Sequence, residues 1–384
     1  MISSFSSLLK LIRCRTAYID ESVFRLHSLY TTLLLLFFFV LITTKQLAGE
    51  PIDCDSNRGG VKESVLNTYC LIHNTYLIQS GFNDQNLGIF NAYPGVQADK
   101  GDDKTYQYYY YQWIWFIFFI EAVFFYTPRW VWKYCESGTM AHILSKSKTY
   151  AVERLNYDQI SNQSYATKYM SCLILALFNV CFQTLLINYM VGGEFLTYGS
   201  NVFNFLRDEP EKRRDEMAKV FPRMAKCTFR KYGSSGSIQT FDALCVLPLN
   251  MYNEKIFIFL WFWFILVATL LLGSILVKFA LLFSQKCRNL YVKVMFHHNI
   301  NGYDNLYQKL DFGELIILIL IKESKGQLYS REVLQELLEL YKRPKCERKD
   351  CLKQRYKERE KLEKDMIEKE AMEDKMIKDG IEIV

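Results

Sequence analysis

CTFRKYGSSGSIQTFDALC, residues 227–245, runs through VLPLNMYNEK (246–255) into IFIFLWFWFILVATLLLGSILV (256–277). The last 22 residues contain no ionisable side chain and lie between Lys255 and Lys278. At a rise of about 1.5 Å per residue, an apolar helix of that length crosses a hydrocarbon core of about 30 Å. The segment bracketed by Cys227 and Cys245 therefore sits just outside one face of a membrane.

Three further runs are long and apolar enough to span: 26–44, 105–127 and 169–193, the second interrupted only by Glu121. The first run exceeds the apolar core of a secretory signal and follows a long leader, so it reads as an uncleaved helix. An even number of spans returns the chain to its starting side. That divides it into an N-terminal segment (1–25), loops on one side at 45–104 and 194–255, and on the other a loop at 128–168, a helical domain at 278–341 and a charged tail at 342–384. Lys and Arg beside the spans favour the terminal side, which places both termini in the cytosol. The 28 Phe and 26 Tyr suit lipid-facing helices and headgroup boundaries, and a net charge of +6 gives no support to a nucleic-acid partner.

Cysteine usage agrees with this topology. Of the 11 cysteines, Cys54 and Cys70 fall in the first large loop and Cys227 and Cys245 in the second. An even set confined to one side is what an oxidising exterior selects. Four cysteines allow three pairings, and spacing does not choose among them.

Phe5, Leu8, Leu9 and Ile12 share one helical face of the leader, which reads as a surface anchor or as a segment folded into a pore. Tyr106 and Tyr108 to Tyr111, with Trp130 and Trp132 at the other end, read as interface anchors of the second span. Pro128 is expected to end that span. Glu121 is an intramembrane carboxyl, costly against lipid, and expected either to face protein or water or to reach toward the near interface. The only glycosylation triplet, Asn162-Gln163-Ser164, falls on the cytosolic side, so neither outer loop offers an acceptor for a sugar that would obstruct contact. Gly233 to Gly236 reads as a turn, and 209–219 as a solvated charged run. LIILILI (315–321) is too short to span. With the stripe Val333, Leu334, Leu337, Leu338 and Tyr341 it reads as a packed helical domain. Cys346 and Cys351 lack further ligands nearby, and no metal or cofactor is expected. No catalytic constellation is present in the pattern, which points to a conduit or scaffold rather than an enzyme.

Seven segments carry a family resemblance: YIDESVFRLH (18–27), GEPIDC (49–54), YYQW (110–113), FYTPRWVWK (125–133), GEFLTYG (193–199), FPRMAKCTFRKYG (221–233) and DALCVLPLNMYNEKIFIFLWFWFILV (242–267). The chain resembles the innexins, the invertebrate gap-junction channel family related to pannexins. The resemblance implies an all-α membrane fold, a four-helix subunit of a ring-shaped large-pore channel with eight copies, disulfide-stapled extracellular loops and a cytosolic helical domain. It implies bonds between Cys54 and Cys245 and between Cys70 and Cys227. It also implies that the N-terminal segment narrows the pore, with Ile2, Ser3, Ser4 and Phe5 as lining candidates. The chain departs from the family pattern at Leu173, where a carboxylate is usual, at Glu121, where an amide is usual, in its shorter cytosolic loop and in its tail.

The expected function is passive passage of ions and small metabolites between adjacent cells, through rings docked across two plasma membranes at gap junctions. Expected partners are further copies, other innexins, the docked ring of the apposed cell and membrane lipids. The alternative within the class is an undocked hemichannel releasing metabolites outside. A four-span adhesion scaffold and a membrane thiol oxidoreductase are the rivals from other classes, the latter disfavoured by the lack of a CxxC pair.

Overall fold

The computed structural model describes residues 19–55, 61–82, 93–97, 103–157, 159–207, 216–296 and 310–342. The pore candidates Ile2, Ser3, Ser4 and Phe5, residues 209–215 of the charged run, Cys346, Cys351 and the tail from 343 lie outside the described residues. In chain order the helices are α1 (Ser22–Ala48), α2 (Glu63–Ile72), α3 (Ile114–Glu136), α4 (Thr139–Ser145), α5 (Lys148–Tyr157), α6 (Gln159–Met190), α7 (Phe195–Arg207), α8 (Glu216–Val220), α9 (Pro248–Phe283), α10 (Gln285–Phe296), α11 (Phe312–Lys325) and α12 (Gln327–Lys342). The strands are β1 (Asp53–Cys54), β2 (Thr75–Ile78), β3 (Thr105–Tyr108), β4 (Met224–Tyr232) and β5 (Ile238–Val246).

Four of these helices, α1, α3, α6 and α9, are long and apolar enough to cross a membrane. α1 and α9 extend beyond the apolar runs read from sequence at both ends, and α3 and α6 at one end, because polar turns continue the helix into the flanking layers. The second span differs most. Residues 105–108 form strand β3 and Tyr110–Gln112 a 3-10 turn, so the helix begins only at Ile114. At its other end Pro128 does not stop it; α3 continues through the proline to Glu136.

The chain divides into two compact units. One comprises Ser22–Val131 and Cys172–Ile275. Its loops build a five-stranded antiparallel sheet in the order β1-β5-β4-β2-β3, so both large loops contribute strands to one sheet. The segment 227–245 is a β-hairpin, registered from Met224 opposite Val246 to Tyr232 opposite Ile238, with its turn at Gly233 to Gly236. Alternation sets the faces: Ala225, Cys227 and Phe229 on β4 and Ala243 and Cys245 on β5 are buried, as period-two geometry requires.

The second unit is drawn from Met1–Glu21, Trp132–Ser171 and Leu276–Val384. Every residue of α11 from Phe312 to Ile321 is buried, and Val333, Leu334, Leu337, Leu338 and Tyr341 of α12 form the matching stripe. A capping box starts α11: the Asp311 side chain caps the helix and the Glu314 carboxyl accepts from the Asp311 backbone N–H. Gly313 sits so close to α6 that an added Cβ would lie 2.5 Å from the Asn162 carbonyl carbon. Asn162 is itself buried, its amide donating to Leu155 O at 2.6 Å, so the glycosylation triplet is part of a helix packing contact.

Candidate functional site

Two disulfides cross between the large loops, Cys54–Cys245 and Cys70–Cys227. Cys54 and Cys245 are opposite each other in the β1–β5 register, where antiparallel partners bring Cβ atoms within bonding reach. Cys70 comes from the buried face of α2 and reaches β4 at Cys227. Sulfurs of Cys54, Cys70 and Cys245 lie within 4.8 Å of one another, so the two bonds form a single knot beneath the sheet. Among the described residues Cys135, Cys172, Cys181 and Cys287 carry no disulfide.

The tyrosines expected at the headgroups do other work. Tyr108, Tyr110 and Tyr111 are buried, and only Tyr109 among the four is exposed. Tyr108 Oη donates to Lys219 O at 2.6 Å, Tyr110 Oη to Val220 O at 2.8 Å, and Tyr111 Oη to Cys70 O at 3.2 Å and His73 O at 3.1 Å. Gln112 adds a bond to Leu71 O at 2.6 Å. Burial pushes all three phenols above their ordinary 10.0, so they remain protonated donors. They tie the start of α3 to both loops at once. Trp132 is likewise buried rather than interfacial, whereas Trp130 is exposed.

A second tie joins the cap to α9. Glu254, fully buried, accepts from Arg223 Nε and Nη2 at 3.0 and 2.8 Å and from Lys255 Nζ at 2.7 Å. Asn250 Nδ2 donates to Pro222 O at 2.7 Å, and Tyr198 Oη to Glu254 O at 3.2 Å. Trp261 covers Gly199, where a Cβ would lie 2.2 Å from the indole, so only glycine allows α7 to approach α9 there. FPR, GEFLTYG and NMYNEK, separate in sequence, thus converge on one junction between sheet and spans.

Inside the spans a polar seam runs between α1, α3 and α6. The π turn Leu26–Tyr30 in α1 buries His27 and Ser28. His27 Nε2 lies 3.5 Å from Asn179 Nδ2, and Asn179 Nδ2 donates to Phe124 O at 3.2 Å. That carbonyl is the one an α-helix would pair with the N–H of residue 128, which proline lacks. Asn179 thus supplies the donor that lets Pro128 stand inside α3. Thr32 Oγ1 reaches Ala122 O at 3.3 Å, and Trp263 Nε1 donates to Thr31 Oγ1 at 3.0 Å. Glu121 is fully buried within the subunit, so its side chain faces protein, and its carboxyl oxygens have no hydrogen-bond partner among the described residues. Gln183, one turn beyond Asn179, is in the same condition. The sequence reading passed over Asn179 and Gln183, although amides four apart in an apolar run mark one face of a helix.

At the other end of the spans the start of the described chain is clasped. Trp132 Nε1 donates to Ile19 O at 2.8 Å, Glu21 N–H to Tyr169 Oη at 3.3 Å, and Lys278 pairs with Glu21. These bonds fix the root of the N-terminal segment.

Comparison with known proteins adds the following. The family profile described as Innexin matches residues 20–341. The chain is 38% identical over 352 residues to innexin shaking-B of Drosophila melanogaster, covering 88% of this chain and 94% of that protein. It is 36% identical over 340 residues to innexin inx1 of Schistocerca americana, covering 85% and 93%, and 39% identical over 284 residues to innexin inx2 of the same species, covering 70% and 78%.

Proposed function

Because the chain belongs to the innexin family and is a gap-junction channel subunit, a multi-pass membrane protein that is not an enzyme, we propose how this subunit conducts. Eight copies close a ring in the plasma membrane with both termini in the cytosol. Each ring docks through its sheet-bearing loops onto the ring of an apposed cell, and ions and small metabolites pass down their gradients. Ile2, Ser3, Ser4 and Phe5 line the narrowest part, the clasp at Ile19 and Glu21 fixing where that segment departs from the bundle.

The observation that carries this reading is the fusion of both large loops into one sheet over a double disulfide. A surface already ordered before contact loses little conformational entropy on association. The β4–β5 tip carries exposed Tyr232 and Ile238, side chains suited to anchor an apolar contact.

Expressing this chain alone in paired cells and recording junctional current and dye transfer tests the proposal. Junctional current with dye passage is expected. Membrane current in single cells without junctional current in pairs would leave the hemichannel as the function, and no current in either, with the protein at the surface, would overturn the channel reading.

A further inference from the structure

α9 does not end for want of apolar residues; it is stopped. Ser284 caps a new helix, its Oγ accepting from the Cys287 N–H at 3.4 Å. The carbonyls of Leu281 and Leu282, which a continuous helix would pair with the N–H groups of residues 285 and 286, accept instead from Arg288 Nη1 at 2.9 and 3.2 Å. One residue therefore separates the last span from α10, and the chain turns there. A straight continuation would carry residue 291 about 20 Å beyond residue 278. Yet the Tyr291 phenol is raised by burial and then by the charges of Glu21 and Glu323, and Glu21 is the partner of Lys278. α10 thus stays at the depth of Lys278, the first charge after the uncharged run 256–277.

α10 has two faces. Val292 is buried, and the Met295 carbonyl accepts from Lys322 Nζ and Gln327 Nε2, both at 3.3 Å, which ties one side of the helix to α11 and α12. Lys286, Leu290 and Val294, four apart, form a row on the helix surface, and all three are exposed, Leu290 at 64% and Val294 at 58%. Phe283, 81% exposed at the last turn of α9, stacks on exposed Phe279 with ring centroids 6.2 Å apart. The exposed apolar surface at the end of the span therefore continues through Phe283 onto α10.

Charge agrees with this placement. α10 contains Lys286, Arg288 and Lys293 and no acidic residue. Arg288 is engaged by the end of α9 and Lys293 has a partner within the protein, but Lys286 has no ion pair among the described residues and borders the apolar row. An apolar strip bordered by lysine, directly after a spanning helix, is the pattern of a helix lying in the plane of a membrane interface. A second copy of the chain fits less well, because three apolar side chains fall far short of the roughly 800 Å² per partner that a stable protein interface buries.

We propose that α10 lies on the bilayer face from which α9 emerges, with Phe283, Leu290 and Val294 seated at the boundary between headgroups and acyl chains and Lys286 at anionic headgroups. The surface rests on the assignment of α9 as a span and on neither docking nor conduction, so a failure to couple cells leaves it standing.

The test uses the full-length channel in vesicles of phosphatidylcholine and phosphatidylserine, with a trace of fluorescent label on one lipid or the other. A photoreactive benzophenone amino acid replaces Leu290 in one variant and Val294 in another, both exposed and so sparing packing; the same probe at exposed Glu339 on α12 is the water-facing control. On irradiation, lipid adducts at Leu290 and Val294 are expected at least fivefold above those at Glu339. Lys286→Gln in the Leu290 variant is expected to lower labelling from phosphatidylserine about fivefold and to leave labelling from phosphatidylcholine unchanged. Adducts between two copies of the chain without lipid adducts would assign the face to a neighbouring subunit, and labelling no greater than at Glu339 would leave it in water; either result overturns the proposal. Phosphatidylserine labelling that Lys286→Gln does not change would overturn the headgroup contact. Should one probe variant not assemble, the other decides.

Discussion

Replacing Asn179 by leucine is expected to destabilise the subunit, and replacing Pro128 by alanine is expected to remove most of that effect. The argument rests on one acceptor. Phe124 O receives the Asn179 amide at 3.2 Å because residue 128 has no N–H to give it. In Asn179→Leu the volume is nearly kept, but the carbonyl is stranded in an apolar bundle, a cost of about 1–3 kcal/mol for a buried unsatisfied group. Asn179→Leu also removes the 3.5 Å contact with His27, so the single variant alone does not isolate the carbonyl. In the Pro128→Ala background the N–H of residue 128 pairs with Phe124 O, while the His27 contact is lost as before. The His27 contribution therefore cancels across the four-variant cycle, leaving a coupling of about 1–2 kcal/mol attributable to the shared acceptor. Unfolding of the purified subunit in mixed micelles, titrated with SDS, measures all four free energies. Additivity within about 0.5 kcal/mol would refute the reasoning.

Burial raises the Glu314 carboxyl from 4.5 to about 7, partly offset by the Tyr341 hydroxyl at 2.6 Å, so the folded chain keeps a proton over an interval in which the unfolded chain loses it. This contribution is full below 4.5, falls as pH rises toward about 7 and then levels off, about 3 kcal/mol in all; hydrogen-exchange protection of α11 and α12 should follow it, and a slope surviving Glu314→Gln would contradict the assignment. Cys70→Ser or Cys227→Ser opens a bond between residues 157 apart, for which chain entropy allows about 5 kcal/mol in a free chain and less where spans already pin the loop ends. Lowered thermal stability and lost junctional current are expected, and coupling retained at the level of the unaltered chain would exclude a role for the knot in docking. Glu121→Leu removes a buried carboxyl without partners among the described residues and is expected to stabilise the subunit by about 1–3 kcal/mol; destabilisation on the same SDS titration would reveal a partner.

The four spans were legible because twenty apolar residues in a row have few other uses in a folded chain, and the α12 stripe because its period is that of a helix. The sheet was not, and Lys226 shows why. A lysine within KCTFRKY reads as a solvated face, yet it is nearly buried, paired with Asp242 at 3.1 Å and donating to Gln97 O, 129 residues away. Tyrosine is ambiguous in the same manner, since a ring with a polar tip fits a headgroup layer or a buried strut equally well. The choice for Tyr110 was made by Val220, 110 residues distant. Pro128 obeyed local rules in sequence and broke them in the fold, because a donor 55 residues beyond Phe124 met the freed carbonyl. The cysteine pairing was equally silent in its spacing and came only with the family resemblance, since partners 191 and 157 residues apart are set by the β1–β5 register in one case and by the packing of α2 on β4 in the other, neither of which a local window contains. In each instance the local pattern fixed what the residue needed, a hydrogen-bond partner, a counter-charge or a second sulfur, and left open who would supply it. Apolar burial is non-directional and can be read from one segment; polar satisfaction is pairwise and cannot. The residues of this channel that carry its geometry are mostly of the second kind, which is why its spans could be drawn from the sequence and its junctions could not.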